Sequence, residues 1–119
     1  MKVSHTTFKV ASIEKSLEFY KGILELDIVE EINAGPRRIV FVGEKDSTIE
    51  LIEGEGVPEN PGEGVSVGMF YEKSLIQRVV ERAKAEGIDV AGPISPNPHL
   101  QFFFLKDPDG YTIQLCESL

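Results

Sequence analysis

The chain predicts an α+β fold of two tandem βαβββ modules, a mixed sheet curved into a cup with helices outside, and three observations carry that prediction. Thr112-Ile113-Gln114-Leu115-Cys116-Glu117 repeats Thr48-Ile49-Glu50-Leu51-Ile52-Glu53 at an offset of 64 residues (112 − 48). One grammar of strand, helix and three strands runs once before and once after a segment rich in Gly, Pro and Glu, residues 54–64. Finally, residues 101–117 place two apolar runs around Asp107-Pro108-Asp109-Gly110. There Pro108 pre-sets φ, Asp109 tolerates the second turn position, and Gly110 supplies the left-handed residue that returns the chain antiparallel.

The elements follow in order. In residues 3–10 polar and apolar positions alternate, so Ser4, Thr6, Phe8 and Val10 share one strand face and Val3, His5, Thr7 and Lys9 the other, with Phe8 and Val10 marking the core. Ser12 caps a helix starting at Ile13, and Ile13, Leu17, Tyr20 and Leu24 fall at helical spacing. Residues 26–33 form a strand, Ala34-Gly35-Pro36 breaks it, residues 38–42 form the next, and a turn over 43–47 leads into 48–53. Four glycines, two prolines and three glutamates leave residues 54–64 too little apolar content to pack, which predicts a linker. Beyond it come a strand at 65–71, a helix at 74–86 with Leu75, Val79, Val80 and Ala83 inward and Gly87 ending it, a strand at 88–91, a loop with Pro93, Pro96 and Pro98, and the closing hairpin. The modules are thus residues 2–53 and 65–118 of one domain spanning 1–119. Each leaves a sheet face uncovered opposite its helix, and placing those faces together or against a second chain makes the cup.

Composition narrows the function. Twenty acidic against twelve basic residues, a net charge of −8, repel polyanions, which excludes nucleic acid as the expected partner and favours cationic ligands. The lone Cys116 cannot form an internal disulfide, and no run approaches the length of a membrane span, so a cytoplasmic protein with no membrane partner is expected.

Alternation turns His5, Glu50 and Gln114 toward the cup. A carboxylate in mid-strand among apolar neighbours is costly unless paired, exposed or bound to a cation, so Glu50 is either a solvated residue of the open face or a site residue. Tyr71, Gln101 and Phe103 are assigned the same cup-facing parity, Phe102 and Phe104 go to the core, and His99, in the proline-rich loop, is either a solvated residue or one that reaches the cup mouth. Arg37 and Arg38 read as a solvated strand edge, and Cys116, beside acidic Glu117, as a small packed residue.

His5 in the first strand, the helix ending Ser16-Leu17-Glu18-Phe19-Tyr20-Lys21-Gly22-Ile23-Leu24, the Thr48-Ile49-Glu50-Leu51 strand and the Asp107-Pro108-Asp109-Gly110-Tyr111 close resemble the vicinal oxygen chelate superfamily, in its glyoxalase I, bleomycin resistance and dioxygenase branch. The resemblance covers essentially the whole chain. It implies a homodimer, a small-molecule ligand, and a divalent metal, zinc or nickel, held by one ligand from the first and one from the last strand of each module. Residue by residue it assigns His5, Glu50 and Gln114 to three of these positions, and the third in chain order falls at Val67 or Gly68 depending on register, neither able to bind a metal. It further implies a metal-dependent lyase or isomerase, related to lactoylglutathione lyase, acting on vicinal oxygens with Glu50 moving the proton. Substrate contacts would come from Tyr71, His99, Gln101 and Phe103. The alternative it implies is a non-catalytic protein that sequesters a small molecule, as bleomycin-resistance proteins do.

Overall fold

The structure, a computed structural model, describes residues 1–118, with the side chains of Ala34 and Ser118 left aside. In the first module, β1 (His5–Val10) buries Phe8 and Val10 and turns His5, Thr7 and Lys9 to the opposite face, as the alternation predicts. Ser12 Oγ accepts from Lys15 N at 3.3 Å and caps α1 (Ile13–Leu17). The helix then widens into a π-helical turn, Glu18–Ile23, followed by a hydrogen bond from Leu26 N to Tyr20 O at 2.9 Å. A wider turn brings neighbouring residues to one side, so Phe19, Tyr20, Ile23 and Leu24 are all buried, while Leu17, expected inward, is only half-buried.

Three antiparallel strands follow: β2 (Asp27–Ala34), β3 (Arg37–Glu44) and β4 (Ser47–Glu53). The β3–β4 turn is tighter than expected, with only Lys45 and Asp46 between the strands. The sheet order is β1-β4-β3-β2, with β1 and β4 parallel. Val40, Val42, Ile49 and Leu51 form its buried face. Arg38, expected at a solvated edge, donates to Glu14 of α1 and, at 2.8 Å, to Glu31 of β2, so it ties the helix to the sheet. Those hydrogen bonds, Glu14's first, hold its guanidinium pKa above the usual range.

The second module repeats the plan with β5 (Ser66–Phe70), α2 (Lys73–Ala85), β6 (Ala91–Asn97), β7 (Leu100–Lys106) and β8 (Thr112–Ser118), in sheet order β5-β8-β7-β6. α2 buries Ile76, Val79, Val80 and Ala83, and Leu75, expected inward, is half-buried because Ile76 takes the core position. The expected strand at 88–91 and proline loop are replaced by β6, an exposed edge strand that contains Pro93 and Pro96. An edge strand has one neighbour, so a proline whose nitrogen faces outward removes no ladder hydrogen bond.

The turn between β7 and β8 forms as the sequence predicts. Gly110 adopts φ +96° and donates to Asp107 O at 3.1 Å. The buried Asp107 carboxylate adds a device the sequence reading missed: its Oδ1 accepts from both Asp109 N and Tyr111 N at 2.9 Å. The segment expected to be a free linker is fastened at both ends. Gly54 N donates to Val10 O at 3.1 Å, and Thr112 Oγ1 donates to Gly62 O at 3.1 Å. Position 62 requires glycine, because a Cβ there would lie 2.3 Å from Thr112 Oγ1 and 2.6 Å from Gly110 O. Contacts divide the chain into two compact units, one up to Glu59 and one from Asn60. Among the described residues no helix is long and apolar enough to cross a membrane.

Candidate functional site

In the first module the parallel pairing of β1 with β4 sets His5 against Thr48 and Thr7 against Glu50, so these four side chains share the face away from α1. The Thr7 hydroxyl donates to Glu50 Oε1 at 2.6 Å, and His5 Nε2 lies 3.7 Å from the same oxygen. Ser4 Oγ is 2.9 Å from His5 Nδ1. Phe41, opposite Glu50 on β3, presents its ring edge-on to the imidazole at 5.7 Å between centroids. An imidazole and a carboxylate distant along the chain thus meet on one polar face with an aromatic wall.

The second module pairs β5 with β8 in the same sense, and here register settles what the sequence left open. Ser66 lies opposite Thr112 and Gly68 opposite Gln114, as His5 lies opposite Thr48 and Thr7 opposite Glu50. The counterpart of His5 is therefore Ser66, not Val67 or Gly68. A Cβ at Gly68 would sit 3.3 Å from Gln114 Oε1 and 3.8 Å from Cys116 Sγ, so those two side chains share its face. Burial pushes the Cys116 thiol pKa up, against a smaller opposing pull from a hydrogen bond to the Met69 backbone.

The pairing of β7 with β8 exchanges the two faces expected of the phenylalanine run. Phe102 lies opposite Cys116 and Phe104 opposite Gln114, which puts them on the open face. Their rings meet edge to face at 5.5 Å. Gln101 and Phe103 lie opposite Glu117 and Leu115 and face the helix side. Tyr71 joins them, since its hydroxyl lies 3.8 Å from Met69 Sδ and Met69 pairs with buried Leu115. His99 sits in the exposed β6–β7 turn, where its backbone N donates to Asn97 Oδ1 at 2.8 Å. Along the chain it lies one residue beyond Leu100, five residues or about 17 Å from Phe104, which stands opposite Gln114. Of the predicted ligand contacts Tyr71, His99, Gln101 and Phe103, none lies beside Gln114.

The open face of this module is graded. Phe70, Cys116, Phe102 and Ile94 form an apolar row, in which Phe70 and Ile94 remain 74% and 41% exposed. Gly68, Gln114, Phe104 and Ala91 form the middle row, and Ser66, Thr112 and Lys106 a polar one. A groove of about 410 Å³ lined by Ile88, Asp89, Phe104, Leu105, Lys106 and Thr112 draws on both faces of the sheet, since Leu105 pairs with buried Ile113.

A divalent metal needs several charged or strongly basic donors. The first module offers His5 and Glu50, whereas the second offers a hydroxyl and a neutral amide at the matching positions. Among the described residues no three His, Cys, Asp or Glu side chains gather to hold an ion. The donor set does not fit a resident metal.

Comparison with known proteins agrees with this architecture. The profile described as Glyoxalase/Bleomycin resistance protein/Dioxygenase superfamily matches residues 2–115. A lactoylglutathione lyase of Neisseria meningitidis is 30% identical, with 99% of this chain and 91% of that protein covered. One from Salmonella typhimurium is 26% identical over 99% and 93%. Among solved structures, TnmS3, an antibiotic binding protein from a Streptomyces species, superposes with a TM-score of 0.76 at 21% identity over 100% of this chain and 97% of that one. The fosfomycin resistance protein FosX of Listeria monocytogenes gives 0.79 at 17% identity over 100% and 94%. The chain belongs to the glyoxalase/bleomycin resistance protein/dioxygenase superfamily.

Proposed function

We propose that this member of the glyoxalase superfamily is a small-molecule-binding protein that holds a flat, partly apolar ligand on the open sheet face of its second module. The observation that carries this reading is the Phe102–Phe104 pair standing on the same face as the Gln114 amide, beside exposed Phe70 and Ile94. Exposed aromatic surface is costly in water, and covering about 100 Å² of it contributes roughly 2.5 kcal/mol. Gln114 supplies both N–H donors and a carbonyl acceptor to orient a polar edge. The net charge of −8 favours neutral or cationic ligands over anionic ones. A cytoplasmic homodimer is the form in which we expect it to act.

A thermal-shift and calorimetric screen of flat aromatic compounds, run without metal, tests the proposal. Stabilisation that the Phe104→Ala variant loses supports it. A screen with no hit, or a hit unaffected by that substitution, removes it.

The His5–Glu50 pair favours a second reading, a lyase or isomerase related to lactoylglutathione lyase in which Glu50, held by Thr7, moves a proton. Production of lactoylglutathione that disappears in Glu50→Gln would place this reading first.

A further inference from the structure

We infer that the second module, with Ser66 and Gln114 at the places of His5 and Glu50, supplies no strong metal donor, and that the chain consequently takes no divalent cation at micromolar concentration. This inference stands independently of which organic ligand the open face binds. It starts from the repeat: two modules of one plan, with the same parallel pairing of first and last strands, carry different chemistry at matched places. The first module has an imidazole and a carboxylate with 3.7 Å between Nε2 and Oε1. The second has a hydroxyl and an amide, each neutral and each a weaker donor to zinc or nickel.

Two donors from one module leave a cation mostly hydrated. Ligand number and ligand charge set divalent-ion affinity, and here the count of anionic donors at the four matched positions is one, Glu50. Moreover, the Glu50 oxygen that faces His5 already accepts the Thr7 hydroxyl at 2.6 Å, a bond an incoming ion must share or displace. The counterpart of Thr7 in the second module is Gly68, and the Gln114 amide oxygen leans over that bare position.

The same geometry says which substitutions would supply the missing donors. Ser66 is exposed, and the next residue on its face, Gly68, has no side chain, so an imidazole at position 66 meets no neighbour along the strand. Gln114→Glu keeps the shape of the side chain and adds the charge. Ser66→His with Gln114→Glu therefore installs in the second module the pair that the first already carries.

The experiment is calorimetric titration of chelator-treated protein with Ni²⁺ and with Zn²⁺, for the natural sequence and the Ser66→His/Gln114→Glu variant. The natural protein should bind either ion no tighter than millimolar. The variant should bind either ion more tightly than its parent, because it adds one anionic and one imidazole donor. One ion per chain bound by the natural protein in the micromolar range would overturn the inference. So would a variant with unchanged circular dichroism that binds no tighter than its parent. Screening aromatic ligands in the presence of chelator keeps this outcome separate from that of the ligand-binding proposal.

Discussion

Replacing Asp107 by alanine should cost about 3 kcal/mol of stability, far more than an ordinary turn residue. Its Oδ1 accepts two backbone hydrogen bonds of 2.9 Å, from Asp109 N and Tyr111 N. The Tyr111 bond is buried, so its N–H would be orphaned at a cost of roughly 1–3 kcal/mol, while the part-buried Asp109 N–H can turn to water and loses about 1 kcal/mol. In a domain of this size 3 kcal/mol lowers Tm by about 10 °C. Asp107→Asn keeps an acceptor oxygen and loses only its charge, so it should cost about 1 kcal/mol. Urea unfolding followed by circular dichroism measures both. If Asp107→Ala costs less than about 1 kcal/mol, or if asparagine is as damaging as alanine, the turn is not held by this carboxylate in the way described. The stakes extend beyond the turn, because it sets the β7–β8 register that puts Phe104 opposite Gln114.

Other predictions follow from the same geometry. Phe103→Ala, on the helix side, should lower stability by about 2 kcal/mol, half the cost of a fully buried ring, and leave aromatic-ligand affinity unchanged, whereas Phe104→Ala should weaken ligand binding at least about tenfold with a smaller loss of stability. The two are separated by melting curves and binding isotherms on the same samples. Gly62→Ala should destabilise the second module, since its Cβ would meet Thr112 Oγ1 and Gly110 O, and hydrogen exchange should show the loss around the β7–β8 turn. Cys116, buried and with its pKa pushed up, should alkylate with iodoacetamide much more slowly than a free thiol at neutral pH and catch up in denaturant. Because the folded state favours the neutral thiol, this group's contribution to stability is present below the unfolded thiol pKa and is lost as pH rises through the higher folded one.

How far the chain announced its structure depended on whether local chemistry or partner register decides a feature. The Asp107-Pro108-Asp109-Gly110 turn, the Ser12 cap and the face of β1 carry their own signals, and all three appear as expected. His5 and Glu50 were set on one face by alternation alone, and their side chains do meet. The run Phe102-Phe103-Phe104-Leu105 has no polar residue to mark a side, so its parity rests on what lies across the ladder, and the choice of Phe103 over Phe104 fails there. For the same reason the counterpart of His5 was sought at Val67 or Gly68 when pairing with Thr112 identifies Ser66. Proline density suggested a loop at β6, because sequence does not announce that a strand will lie at a sheet edge. The π-helical turn after Leu17 was hidden by a helical spacing that both Leu17 and its neighbours satisfy.

In the proposed function the open face of the second module, and not its helix side, receives the ligand. Backbone NMR of the labelled protein during titration with an aromatic compound from the screen tests this most directly. Shifts concentrated at Gly68, Phe102, Phe104 and Gln114 are predicted. Shifts confined to Gln101, Phe103 and α2, or their absence at saturating compound, would contradict it.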